Sequence, residues 1–184
     1  MRFMPFLLAA MIATSSLALA ADWQADPAQS TLSFTGTAEG MDFDGHFGDF
    51  TPAIRFDPAD LAGARFDVRI SLASADTANS DRDETMKGSD FFAIKRFPEA
   101  SYTATSFRDL GEGRYAADGT LSLRGVEKPV TLEFSWVTEG DAAILDGSAS
   151  LNRLDFEVGG GDWSDASTIA HEVKVRTHLQ LKAN

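Results

Sequence analysis

The chain has 184 residues with no cysteine, and its 28 acidic residues outnumber its 16 basic ones, for a net charge of −12. That balance argues against nucleic acid or an anionic membrane surface as the main partner, and the missing thiols exclude disulfides, thiolate nucleophiles and thiolate metal sites. Arg2, the apolar run from Phe6 to Leu19 and Ala18-Leu19-Ala20 read as a secretion signal cleaved after Ala20. The apolar run is shorter than the roughly 18 residues a membrane span needs, and no later segment is long and apolar enough to cross a bilayer. Residues 21–184 then form one domain; they lose one Arg and no acid, leaving 15 basic against 28 acidic residues and a charge of −13.

In chain order the mature sequence alternates apolar and polar residues with period 2, the mark of strands with one wet face. Strands are predicted over residues 23–34, 37–46 and 50–56. In residues 64–72, Ala64, Phe66, Val68, Ile70 and Leu72 share one face, opposite Arg65, Asp67, Arg69 and Ser71. Ser80-Asp81-Arg82-Asp83-Glu84-Thr85-Met86-Lys87 breaks the alternation. Ser80 as N-cap, acids in the first turn and Lys87 before Gly88 predict a short helix. Phe91 and Phe92 follow it; two adjacent aromatics cannot both point inward from a strand, so a loop plugging a cavity is expected.

Further strands are predicted over residues 101–107, 114–123, 130–136, 144–151 and 173–181. In the third of these Val130, Leu132, Phe134 and Trp136 share a face, and in the last Val173, Val175, Leu179 and Leu181 do. Eight or nine such strands suit a closed antiparallel barrel, which leaves no exposed edges. A two-sheet sandwich fits the same pattern. Twelve Phe and three Trp in residues 21–184 exceed the needs of a thin core, and they either fill the barrel or line a cavity in it.

Catalytic and metal chemistry finds little support. There is no G-x-S-x-G elbow, and the three histidines form no motif. His171 and His178 are seven apart, an odd spacing that sends them to opposite strand faces. Asp42, Asp44 and Asp49 near His46 do not match a calcium loop and read as a solvated turn. Residues 158–163 have glycines but no Lys-Ser or Lys-Thr to cradle phosphate, and read as a flexible or bulged hairpin. Arg82, Lys87, Lys95 and Arg96 cluster near the helix, where they either pair with Asp81, Asp83, Glu84 and Asp90 or attract an anionic head group.

Several ordered blocks are Trp23 to Asp26 with Ser30-Thr31-Leu32-Ser33-Phe34, Gly45-His46-Phe47-Gly48-Asp49-Phe50 and Ile54-Arg55-Phe56-Asp57-Pro58. Asn79-Ser80-Asp81-Arg82-Asp83 follows, then Lys87-Gly88-Ser89-Asp90-Phe91-Phe92, Phe97-Pro98, residues 119–126 and Lys128-Pro129-Val130. Together they resemble the YceI family of periplasmic polyisoprenoid-binding, lipocalin-like proteins over nearly the whole mature chain. The resemblance implies an all-β fold, an extended eight-stranded antiparallel barrel with one short helix, located in the periplasm. It implies no catalysis, no metal and no cofactor, only a bound isoprenoid, quinone-like or other lipid chain. Its pocket lining would be Phe34, Phe66, Val68, Tyr102, Leu121, Leu123, Leu132, Phe134 and Trp136, with Phe91 and Phe92 at the entrance. Glu157 stands after Asp155-Phe156 where many members have Gly. The Gly161-Asp162-Trp163 variant resembles a branch associated with di-haem cytochrome b membrane proteins, which implies an alternative role: a filled barrel docking such a cytochrome.

Overall fold

The structure is a computed structural model that describes residues 21–184. The expected signal peptide, residues 1–20, lies outside the described residues. Eleven strands run as β1 (Ala21–Ala25), β2 (Thr31–Ala38), β3 (Met41–Phe47), β4 (Phe50–Phe56), β5 (Arg65–Ser71) and β6 (Ala75–Asp76), then β7 (Glu99–Gly111), β8 (Arg114–Leu123), β9 (Val126–Glu139), β10 (Ala142–Asn152) and β11 (Glu172–Ala183). Among the described residues a single α-helix, α1 (Ser80–Lys87), lies between β6 and β7.

All pairings are antiparallel, in the order β1-β4-β5-β7-β8-β9-β10-β11, and β1 closes the ring on β11. The result is a closed eight-stranded barrel rather than a sandwich. β2 continues alongside β11 where β1 leaves it, from His178↔Thr31 to Lys174↔Thr35. The turn between them is held by the Asp26 carboxylate, which accepts from the Ala28 N–H at 2.9 Å, and by the Ser30 hydroxyl, which accepts from the Gln180 N–H at 3.2 Å. β3 and β6 extend the sheet beyond β2.

Two expected boundaries move. The predicted strand 23–34 is broken by that turn, and Thr37 and Ala38 belong to β2, not to the following strand. Glu39 and Gly40, both at positive φ (51° and 77°), turn the chain there, in the backbone conformation that tight hairpins need and that matches strand twist. The helix also starts differently: Asn79, not Ser80, is its cap, its side chain accepting from the Arg82 N–H at 3.0 Å. An Asn one residue earlier does the same work for the first-turn N–H groups.

Outward residues form exposed ion pairs, among them Arg108 with Asp118. Nε and Nη2 donate to the two carboxylate oxygens at 2.7 and 3.0 Å, and Thr131 adds a bond at 2.7 Å. These donors, led by Arg108, hold the Asp118 pKa down at about 2, from an ordinary 3.8. A depressed folded-state pKa stabilises the fold above pH 3.8, and that contribution fades as pH falls towards 2. Urea unfolding of Asp118→Asn is therefore expected to lose less stability than the unaltered protein between pH 5 and pH 2.5; equal losses would show that this pair does not carry the acid sensitivity.

Candidate functional site: an apolar cavity under two lids

The barrel interior has two zones. At the end closed by β1, the aromatic side chains of Trp23, Phe56, Phe66, Phe107, Tyr115, Phe134 and Trp136 interlock. Trp136 packs 4.8 Å from Phe56 and edge-on to Trp23 at 5.2 Å, and Phe134 lies 5.2 Å from Phe56 (ring centroids). Phe56 is fully buried and Trp136 is 5% exposed. The Trp23 indole N–H donates to the Phe56 carbonyl at 2.9 Å, whereas the Trp136 indole N–H, also buried, has no partner among the described residues. Seven rings at these distances leave no room for a ligand, so this zone is a solid floor.

Above the floor lies a cavity of about 470 Å³ with an almost wholly apolar wall. Its lining includes Phe34, Phe66, Val68, Tyr102, Leu121, Leu123, Leu132, Phe91 and Phe92, all expected from strand parity and the resemblance. Phe134 and Trp136 are corrections. They point inward as expected but belong to the floor, because they sit further along β9 than Leu132, and parity specifies a face, not a depth. Phe66 belongs to both zones, packing 5.3 Å from Phe134 while its other side faces the cavity. Tyr102 brings the wall a hydroxyl, but it already donates to the Ala117 and Val130 carbonyls (2.8 and 3.2 Å). Burial pushes its pKa up to about 12, so the phenol stays protonated.

Two segments cover this zone. The first is α1 with the loop 88–98: Met86, Phe91 and Phe92 are buried beneath it, Phe92 lying 6.1 Å from Phe47. The loop reading of Phe91 and Phe92 therefore matches their placement. The second is residues 153–170, which brings in Phe156, Val158, Trp163 and Ile169. Trp163 lies 5.5 Å from Phe91, and the Gly159 N–H donates to the Asp90 carbonyl at 2.7 Å, so the two lids touch. A Cβ on Gly159, at φ +65°, would fall 2.6 Å from Arg153 Nη1 and 2.9 Å from the Phe91 ring. Only glycine fits that approach.

The flexible or bulged hairpin expected at residues 158–163 is instead part of a lid with two short 3-10 turns, and its organiser is Arg153, which nothing in the sequence singles out. This side chain is 5% exposed. Its Nε donates to the Ala170 carbonyl at 3.0 Å and Nη1 to those of Val158, at 2.9 Å, and Gly159. Nη2 donates to Trp163 at 2.6 Å and Ile169 at 2.9 Å. All five guanidinium donors are used on backbone, none on a carboxylate, and burial lowers the arginine's pKa. Arg124 ties the lids together from the β8–β9 turn, donating to the carbonyls of Ser89 (2.7 Å), Asp90 and Glu157.

The remaining candidates are dispersed. Asp42 and Asp44 accept from Thr37 and Thr35 at 2.6 Å each, and among the described residues no group of three potential metal ligands comes together. His178 bonds Asp146 at 2.6 Å on the outer surface, and His171, just ahead of β11, lies 2.8 Å from the Ser164 carbonyl. Of the basic cluster, Lys87 pairs with Glu84 at 3.1 Å and the Arg96 guanidinium lies over the Phe97 ring at 4.9 Å. No described helix is long and apolar enough to cross a membrane.

Comparison with known proteins agrees with this architecture. A family model described as a YceI-like domain matches residues 23–181. A UPF0312 protein of Shewanella denitrificans is 34% identical over 161 residues, covering 83% of this chain and 84% of that protein. One from Vibrio campbellii is 31% identical over 160 residues, covering 82% and 85%. Among solved structures, Burkholderia cenocepacia BcnA superposes with a TM-score of 0.82 at 29% identity, covering 85% of this chain and 99% of that one. A polyisoprenoid binding domain from Saccharophagus degradans, implicated in plant cell wall breakdown, shares the fold with a TM-score of 0.68 at 19% identity, covering 91% and 100%. With a family model spanning the barrel and relatives above 30% identity over four-fifths of its length, this chain belongs to the YceI family.

Proposed function

We propose that this protein is a non-catalytic binding or carrier protein for a hydrophobic chain, of isoprenoid, polyprenyl or quinone-like type, working in the periplasm after export. The observation that carries this reading is the cavity itself, about 470 Å³ of almost pure hydrocarbon wall enclosed between an aromatic floor and two lids. An empty apolar chamber of this kind is a stability deficit in a protein without a ligand, and a binding site in one with it. Each Å² of chain surface removed from water contributes roughly 25 cal/mol, so affinity needs no specific polar contact and tolerates different chains. The polyisoprenoid-binding description of the Saccharophagus domain supports the chain type, and the leader-like residues 1–20 support export. Docking of a di-haem cytochrome b by a filled barrel is the weaker reading, since the interior has room to spare.

Native mass spectrometry of the full-length product recovered from its own cells is expected to show a population carrying a lipid-sized mass increment. The delipidated protein is expected to take up geranylgeraniol. A ligand-free mass together with no uptake refutes the carrier function.

A further inference from the structure

Two arginines interrupt the hydrocarbon wall of the cavity, Arg153, whose donors are all on backbone carbonyls, and Arg82. Arg82, on α1, is half-buried and lines the cavity, as do the exposed residues Glu39 and Thr85, which mark its rim. Its guanidinium carbon sits 4.2 Å over the ring of Phe43, itself a wall residue. Nε donates to the Thr77 hydroxyl at 2.9 Å, and that hydroxyl in turn donates to Asp83 at 2.7 Å, which fixes its acceptor side towards the arginine. The guanidinium is therefore held in place by a ring and a hydroxyl. Neither Nη has a hydrogen-bond partner among the described residues, and no carboxylate there comes within 4.0 Å of the group. By contrast Arg153 and Arg124, which hold the lids, have their Nη groups on carbonyls. A pre-positioned fork with both ends vacant, at the mouth of an apolar chamber, matches a pair of anionic oxygens.

We propose that Arg82 is a head-group site, holding the carboxylate of an amphiphile whose hydrocarbon tail lies in the cavity. The proposal rests on the carrier reading above. The surroundings set the charge: one cation, linked to Asp83 through the Thr77 hydroxyl in a strongly acidic protein, balances a single negative charge, as a carboxylate carries, better than the nearly double charge of a phosphate monoester. The ligand class is thus a lipid or isoprenoid acid, with the tail buried and the head at the rim.

The test uses three probes with one tail, farnesoic acid, its methyl ester and farnesol, displacing Nile red from the full mature protein at pH 8. The acid is expected to bind about tenfold more tightly than farnesol or the ester, the gain of one charge-assisted bidentate contact. In Arg82→Gln the ratio of acid to farnesol affinity is expected to fall to about one, whatever happens to farnesol binding itself, and in the unaltered protein the acid's advantage shrinks as salt rises while farnesol affinity does not fall. Equal binding of the acid and farnesol overturns the head-group site, and so does an ester that binds as well as the acid. An acid preference that survives Arg82→Gln overturns its assignment to this residue. Failure of all three probes to bind at all refutes the carrier reading instead, so the two are separable.

Discussion

Replacing Arg153 with Met is expected to destabilise the protein by about 3–5 kcal/mol, read as a fall in the urea midpoint with little change in slope. The side chain satisfies carbonyls of Val158, Gly159, Trp163, Ile169 and Ala170, five acceptors from a stretch that forms almost no sheet. Met fills the volume and leaves them bare. Each buried acceptor without a donor costs roughly 1–3 kcal/mol, and the total stays below the sum because a loosened lid lets water reach some of them. Hydrogen exchange is expected to speed up across residues 157–171 and to stay slow in β8 and β9, a local opening rather than a global one. Arg153→Lys has three donors for five acceptors and should recover only part of the loss. A midpoint shift worth less than about 1 kcal/mol would mean the lid stands without its arginine.

A Trp at position 149 is expected to abolish chain uptake while leaving the barrel folded. Ala149 lines the cavity from β10, opposite Val175 in register, and is only partly buried because open space faces it. An indole there occupies the chamber instead of displacing packed neighbours, so the penalty of overpacking is small. If it removes about 100 Å² of chain contact, at roughly 25 cal/mol per Å², the loss is about 2.5 kcal/mol, close to a hundredfold in affinity. Titration with farnesol alongside a thermal melt separates the two effects. Unchanged affinity in a folded variant would place the ligand outside this cavity. Trp136→Ala makes the contrasting change: it removes a ring from the floor, costs about 3–5 kcal/mol as a buried aromatic truncation and deepens the chamber rather than closing it.

Much of the barrel is legible in the alternation alone, because a strand with one wet face must repeat every two residues. Phe66, Val68 and Ile70 line the cavity as their parity predicts, while Arg65 and Asp67 pair on the outside. The helix is equally legible from its first-turn acids and terminal Lys87, apart from the identity of its cap. Phe91 and Phe92 are recognisable as a cavity plug because adjacent aromatics have no place on a half-buried strand. What alternation cannot express is height within the barrel. Leu132, Phe134 and Trp136 share a face, yet the first lines the cavity and the other two build its floor, a distinction made by the rings arriving from β1, β4, β7 and β8.

Residues 153–170 are the opposite case. The glycines of residues 158–163 suggest a flexible or bulged hairpin, and nothing local marks Arg153 as buried. Its partners are backbone carbonyls, which every residue possesses and which therefore leave no trace in the sequence. Likewise Arg82, Lys87 and Arg96 look alike in the chain, and only the folded surroundings separate the one paired with Glu84, the one stacked on Phe97 and the one held over Phe43 in the cavity wall. Local alternation determined the strands and which of their faces turns inward, while the pairing of β1 with β11 decided for a barrel over a sandwich. Tertiary packing decided where the interior is solid, where it is hollow and which charge faces the opening, since each depends on side chains and carbonyls that meet only when the ring closes.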